Sequence, residues 1–310
     1  MKKCAFIYNP ESGKKNNKKD INSLVNLLNK NDYEVILYPT EYAGHATDIV
    51  SKLKKIDLII SCGGDGTLNE VIKGNLKRKN KILMGHLPTG TTNDVGAMYG
   101  YTKNILTNLQ LLISGTIKNI DTCLINNKPF VYVACIGNYV DVAYNTPRDL
   151  KKKYGRFGYF INAINELKTD IKNYEIEYYI NGEKKEGIFS YIFVSNTSQI
   201  GGFKNIYDDV KLDDNKFEVI LVNKMKKSQL AITLTSVLTN NIKKVQGIEY
   251  YKTDNFKVVF KHTPSESWCL DGEELKHKNK TFEFTINKDI NMLLPKKNII
   301  KLFKNLEEVK

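Results

Sequence analysis

The sequence predicts two domains, an α/β N-terminal domain on a parallel sheet and a mainly antiparallel β-sandwich after it. Three observations carry the prediction. Strand and helix patterns alternate over the first ~120 residues, and beyond Asp121 strand patterns follow one another with short turns. Four polar loops also fall at the carboxyl ends of the early strands, where parallel sheets bind ligands. At 310 residues the chain can bury two separate cores.

Residues 3–8 form an apolar strand that runs into the loop Asn9-Pro10-Glu11-Ser12-Gly13-Lys14-Lys15. Ile21, Leu24, Val25 and Leu28 then recur at helical spacing. A second strand, 33–38, ends at Pro39-Thr40-Glu41, and Ala46, Ile49, Val50 and Leu53 mark one stripe of the next helix. Residues 56–60 are continuously apolar and β-branched, as expected of a strand buried on both faces. They lead into Ser61-Cys62-Gly63-Gly64-Asp65-Gly66-Thr67-Leu68-Asn69-Glu70, after which Leu68, Val71, Ile72 and Leu76 keep helical spacing. The glycines therefore make a strand-to-helix turn whose conspicuous side chain is the Asp65 carboxylate. Backbone N–H groups can approach an anion closely there, and the helix N-terminus adds a favourable dipole, so the turn suits a polyphosphate. A strand at 82–87 ends in a second such loop, Pro88-Thr89-Gly90-Thr91-Thr92-Asn93-Asp94.

Two other phosphate loops are excluded. The spacing is not G-x-G-x-x-G, and the Gly13-Lys14 pair lacks the Walker pattern because Tyr8 and Lys15 stand where Gly and Ser/Thr are required.

In the second half, strands are expected at 122–126 and 130–136 around an Asn126-Asn127-Lys128 turn, then at 175–181, 188–196, 217–222, 256–261 and 281–286. A helical insertion is expected over 148–170 and another helix near 228–238. A separate apolar strand, 290–294, precedes Pro295 and a basic tail carrying Ile299, Ile300, Leu302 and Phe303. The domain boundaries are placed at 1–122, 123–287 and 288–310.

The net charge of +13 is almost wholly lysine, since only Arg78, Arg148 and Arg156 are arginines. That excess suits an anionic partner such as a nucleotide or the acidic inner membrane leaflet. Scarce arginine argues against base-edge readout of nucleic acid, and RNA-binding aromatic signatures are missing. No apolar run approaches the ~20 residues needed to cross a bilayer, and the start is too short for a signal segment, so a cytoplasmic protein is expected. The five cysteines and four histidines are scattered without metal-ligand or triad spacing, which predicts reduced thiols used as core residues.

With these motifs assembled, the chain resembles the bacterial diacylglycerol kinase family of soluble lipid kinases. The resemblance rests on Tyr8-Asn9-Pro10-x-Ser12-Gly13-Lys14, Gly63-Gly64-Asp65-Gly66-Thr67-x-Asn69-Glu70 and Gly90-Thr91-Thr92-Asn93-Asp94. It extends to Lys211-Leu212-Asp213-Asp214 and Leu270-Asp271-Gly272-Glu273. The Gly-Gly-Asp-Gly-Thr motif alone is shared with NAD kinases and phosphofructokinase-like enzymes. The resemblance implies an α/β nucleotide domain, a β-sandwich, and a last segment that returns to the first domain.

It further implies ATP in an interdomain cleft, touched by Asn9, Pro10, Glu11, Ser12, Gly13, Thr40, Gly64, Asp65, Gly66, Thr67, Leu68, Asn69, Glu70 and Thr91. Asp65 would act beside the phosphates through a catalytic magnesium, with Asp94 and Asp121 in an interdomain aspartate–water network. Glu273 would accept the proton of the lipid hydroxyl; taken alone, Asp-Gly-Glu is an ordinary hairpin turn. Asp214, with the carbonyls of Lys211 and Lys216, would hold a second, structural magnesium. Two departures from the family pattern stand out: Asn215 replaces the usual glycine, and Val95-Gly96-Ala97-Met98 lacks a common arginine.

The segment 148–160 interleaves Lys151, Lys152, Lys153 and Arg156 with Tyr154, Phe157, Tyr159 and Phe160, a pattern suited to an anionic membrane. The implied partners are ATP, a membrane lipid such as diacylglycerol and an anionic membrane surface. Nucleic acid is not among them, and there is room for a homodimer. The expected place is cytoplasmic, peripheral at the inner face of the membrane. The rival readings are an NAD kinase, for which Asn165-Glu166 with Asp170 is a faint echo, and a non-catalytic nucleotide- or lipid-binding relative.

Overall fold

The computed structural model describes residues 1–10, 12, 17–90, 93–137, 171–197, 199–200, 203–204, 209–226, 229, 232–233, 236, 242 and 245–307. The insertion expected at 148–170, most of the helix near 228–238, the basic-aromatic segment 148–160, and Glu11, Gly13, Thr91, Asn165, Glu166 and Asp170 lie outside them. The chain divides into two compact units, Met1–Thr122 with Asn287–Lys310, and Cys123–Ile286.

The first unit opens with β1 (Lys2–Tyr8), α1 (Asn17–Asn29), β2 (Tyr33–Pro39), α2 (His45–Lys52), β3 (Leu58–Gly63), α3 (Asp65–Leu76) and β4 (Leu83–Pro88). β1 pairs in parallel with β2 and β3, and β3 with β4, so the strand order is 2-1-3-4. This order reverses direction at β1, which places a topological switch between the carboxyl ends of β1 and β3. Those ends carry the Asn9 loop and the glycine turn. Every residue of β3 is buried, as its unbroken apolar run requires. Helix α1 supplies Leu24 and Leu28 to a core with Cys4, Phe6, Leu58, Ile60 and Leu87.

Next come α4 (Asp94–Met98), α5 (Ile105–Ile113) and β5 (Thr116–Ile125). The Asn104 side chain caps α5 by accepting from the Thr107 N–H at 3.0 Å, and Leu109 and Leu112 complete the core.

The second unit contains β6 (Lys128–Phe130), β7 (Val133–Gly137), β8 (Tyr174–Ile180), β9 (Glu183–Ser195), β10 (Gln199–Ile200), β11 (Phe203–Lys204) and β12 (Phe217–Asn223). It continues with β13 (Ile248–Thr253), β14 (Phe256–Phe260), β15 (Trp268–Leu270), β16 (Glu273–Leu275) and β17 (Thr281–Leu294), and β17 carries the chain back into the first unit. Pairing within the unit is antiparallel. The long β9 pairs along two stretches: residues 183–189 lie against β8, while residues 191–195 lie between β7 and β12. β8 alternates buried and exposed residues strictly, so Tyr174, Ile176, Tyr178 and Ile180 face the core. There they meet Phe189, Phe217, Phe256, Trp268, Phe282 and Phe284.

The strand expected at 290–294 is not separate. Thr281–Leu294 is a single strand, and the polar stretch Asn287-Lys288-Asp289 continues it instead of breaking it. Asn119 on β5 secures that stretch, donating to the Lys288 carbonyl at 2.6 Å and to Asn291 Oδ1 at 3.0 Å. The end of β17 lies parallel to β4, with Met292 opposite Met84. A short 3-10 turn and α6 (Ile299–Leu302) follow, where Ile299, Leu302 and Phe303 are buried. Among the described residues no helix is long and apolar enough to cross a membrane.

Candidate active site

In the first unit the rim loops interlock through backbone. The Asn9 N–H donates to the Cys62 carbonyl at 3.1 Å, the Thr40 N–H to the Tyr8 carbonyl at 2.9 Å, and the Thr89 N–H to the Gly63 carbonyl at 2.8 Å. Ser12 Oγ lies 2.9 Å from Thr89 Oγ1 and donates to the Asn9 carbonyl at 2.8 Å. The loops after β1, β3 and β4 thus form one continuous edge.

Glycine is required where two of these loops touch. A Cβ on Gly90 would stand 2.5 Å from the Gly64 Cα, backbone against backbone with no side chain able to yield. Gly64 is the N-cap of α3 and, having no side chain, makes no side-chain cap bond to that helix, whose first N–H groups open at the turn. Gly66, Thr67, Leu68, Asn69 and Glu70 occupy the opening turns of α3, with Leu68 and Asn69 buried. Glu70 Oε1 accepts from the Gly44 N–H at 2.8 Å and its Oε2 from the Ala46 N–H at 3.1 Å. The motif's glutamate therefore holds the start of α2, just beyond Thr40.

Asp65 is 4% exposed and Asp94 is fully buried. Asp65 Oδ2 accepts from the Asp94 N–H at 3.1 Å and Oδ1 from the Val95 N–H at 3.3 Å. The carboxylate thus serves the N-terminal N–H groups of α4, whose N-cap Asn93 has left-handed backbone, φ 53°. The sequence did not foresee this contact. Asp121 lies on β5, 4% exposed, with Lys288 Nζ 4.0 Å from its Oδ1.

The remaining candidates belong to the second unit. Asp271 (φ 52°) and Gly272 (φ 90°) form a two-residue left-handed turn joining β15 to β16, with Leu270 opposite Glu273. The Asp271 carboxylate is 3% exposed and accepts three backbone N–H groups, from Val131 at 2.6 Å, Tyr132 at 2.9 Å and Val133 at 3.0 Å. That grip fixes the hairpin, and Glu273 projects from it as an exposed side chain.

At the other cluster, Asn215 takes φ 59°, a conformation asparagine adopts at small cost. Asp214 Oδ1 accepts from the Lys216 N–H at 3.1 Å, and Lys252 Nζ lies 2.9 Å from Asp214 Oδ2. Lys252 also donates to the Asp209 carbonyl at 2.6 Å and stands 3.8 Å from Glu218 Oε1, its directly opposite neighbour on β12. The oxygens offered here by a carboxylate and main-chain carbonyls are the hard donors that magnesium prefers. Among the described residues no group of three or more Asp, Glu, His or Cys side chains is placed to hold a metal, so any ion here would depend on carbonyls and water.

Burial pushes the Glu218 carboxyl up to about 8, and the neighbouring Asp214 raises it too, against the pull of Lys252. A carboxyl held protonated in the fold but ionised when unfolded contributes stability below about pH 4.5 that is lost as pH rises through about 8. Glu218→Gln should flatten that slope. Its unfolding free energy, from urea titration, should fall less than that of the parent between about pH 6 and 9, by on the order of 1–3 kcal/mol at the alkaline end.

Comparison with known proteins identifies the family. The family described as "Diacylglycerol kinase catalytic domain" matches residues 3–125, the stretch that contains all three rim loops. The chain is 33% identical over 236 residues to the diacylglycerol kinases of Staphylococcus aureus strains bovine RF122 / ET3-1 and MRSA252, covering 76% of this chain and 75% of each relative. A crystal structure of a diacylglycerol kinase from Bacillus anthracis str. Sterne superposes with a TM-score of 0.79 at 20% identity, covering 96% of this chain and 99% of that one. A second structure from that strain reaches 0.81 at 22% identity, covering 96% and 97%. The structural likeness establishes the fold, and the identity shared with the staphylococcal enzymes over three quarters of their length establishes descent. The chain belongs to the diacylglycerol kinase family.

Proposed function

We propose that the protein transfers the γ-phosphoryl group of ATP to the hydroxyl of a membrane lipid, most simply diacylglycerol, giving phosphatidic acid. The observation that carries this reading is the glycine turn at the end of β3, in a chain of this family. It stands at the topological switch of a parallel sheet and opens α3 on Gly64, an N-cap residue with no side chain of its own to cap the helix.

The residues divide the work. The backbone of 64–67, with Asn9, Ser12 and Thr40 along the same rim, would seat the triphosphate and nucleoside. Asp65 and Asp94, two buried aspartates in direct contact, offer the anionic oxygens a magnesium ion would need, and Asp65 would hold it. Magnesium, when bound, neutralises charge on the β- and γ-phosphate oxygens. At the other turn Asp214 and the carbonyls of Lys211 and Lys216 would hold a structural ion. Glu273 would accept the proton of the attacking hydroxyl, since an alcohol is a weak nucleophile until that proton begins to leave. The lysine-derived charge of +13 favours approach to an anionic membrane surface, where the substrate resides.

The direct test is transfer from γ-labelled ATP to a panel of lipids in mixed micelles, with NAD run in parallel. Label should appear in organic-extractable phosphatidic acid. Label on NAD and none on lipid would establish the NAD kinase reading in its place.

A further inference from the structure

The second unit also holds a pair of side chains that the proposed reaction does not use. On the antiparallel strands β7 and β15, Cys135 lies directly opposite Cys269, and Ala134 opposite Leu270. The Asp271 N–H donates to the Val133 carbonyl at 2.9 Å, which makes residues 271 and 133 a hydrogen-bonded pair. Alternation along the ladder makes Cys269 and Cys135, two residues further on, the next pair of that kind. Such residues have Cα atoms about 5.5 Å apart and side chains on the same face, within the ~4.4–6.8 Å that a disulfide spans. Cys269 is 3% exposed, whereas Cys135 is only half-buried, so a reagent from solvent reaches Cys135 first.

The other cysteines have no such neighbour in their strand registers. Cys4 faces Val35 and Leu58, Cys62 faces Tyr8 and Leu87, and Cys123 faces Phe130.

We propose that Cys135 and Cys269 are a modification site, closing into a reversible disulfide by exchange with a low-molecular-weight disulfide and clamping the root of the hairpin that carries Glu273. The chemistry balances in two exchanges. The Cys135 thiolate attacks one sulfur of the reagent, expelling one thiolate that takes up the proton Cys135 released. The Cys269 thiolate then attacks Cys135 Sγ and expels the second reagent thiolate, which is protonated in turn. The protein pair is oxidised by two electrons and the reagent disulfide is reduced to two thiols.

The location gives the bond a consequence. Asp271, two residues beyond Cys269, grips the N–H groups of Val131, Tyr132 and Val133, the last of them two residues before Cys135. A disulfide needs Cβ atoms about 3.8 Å apart, closer than the ~4.5–5.5 Å of an ordinary cross-strand pair. Closing it draws the two strands together beside that grip. The hydrogen bond to Cys269 and burial hold the Cys135 thiol well above its ordinary range, so thiolate is scarce near neutrality. Exchange is therefore slow there and quickens about tenfold per pH unit.

The test treats the full-length native protein with oxidised glutathione between about pH 7 and 9. Intact mass and peptide mapping should show loss of two hydrogens, one Cys135–Cys269 linkage, a rate rising with pH, and full reversal by dithiothreitol. Cys135→Ser and Cys269→Ser, checked for folding by circular dichroism, should each abolish the linkage. Glutathione stalled on Cys135 as a mixed disulfide, linkage of either cysteine elsewhere, or a native protein that stays fully reduced would each overturn the proposal. These readouts need no turnover, so they stand apart from the lipid kinase assignment.

Discussion

Glu273→Gln should lower kcat for lipid phosphorylation by roughly 10²–10⁴-fold, the contribution of a well-placed general base. The substitution keeps the shape and one acceptor oxygen but cannot take a proton. Glu273 is exposed at the start of β16, beyond a turn held by the buried Asp271 carboxylate and by Gly272 at φ 90°. Stability should therefore move by no more than about 0.5 kcal/mol, as for other surface changes. Affinity for ATP, measured by equilibrium titration without lipid, should stay within about twofold, because a base serving the acceptor hydroxyl would not touch the nucleotide. Retention of activity within about threefold would remove Glu273 from the mechanism.

The legible and illegible parts of this molecule divide by the range of the interaction concerned. β1, β3 and β4 could be read directly because strands buried on both faces need continuous apolar sequence, and the glycine turn because close backbone approach admits only glycine. Helix α5 is absent from the sequence reading although its signal is local: Asn104 is a standard N-cap, and Leu109 and Leu112 keep helical spacing. β13 carries no clear alternation because most of its residues are half-buried, and β15 and β16, three residues each, are too short for periodicity to register. The polar run 287–289 imitates a loop, since the partner that holds it in β17, Asn119, is far away in sequence. In the site, residue types and motif order were evident, but the tasks of the carboxylates were not. Glu70 holds the start of α2, Asp271 grips the backbone of 131–133, and Lys252 spans Asp214 and Glu218. Each is a tertiary contact that motif spacing does not encode.

Asp65 gives the sharpest case, because its substitution should fail twice for separable reasons. Oδ2 accepts from the Asp94 N–H and Oδ1 from the Val95 N–H, so both oxygens are used by the first turn of α4. Asparagine can satisfy one of those donors but must turn an NH2 group toward the other. A buried N–H left facing a second donor costs about 1–3 kcal/mol, and Asp65→Asn should lose that much in denaturant unfolding. Alanine at the same position leaves both donors without the carboxylate and should cost at least as much. The catalytic loss should be larger. Removing an anionic group that organises charge around a transferring phosphoryl group should lower kcat by roughly 10³-fold or more, as other preorganised electrostatic contacts do when deleted. The two effects part on addition of a stabilising osmolyte such as trimethylamine N-oxide. If Asp65 acts only as the anchor of α4, recovery of the native fraction should restore activity in proportion. If it also acts at the phosphates, a fully folded Asp65→Asn protein should remain inactive, and its dependence of ATP binding on magnesium should be weakened relative to the parent.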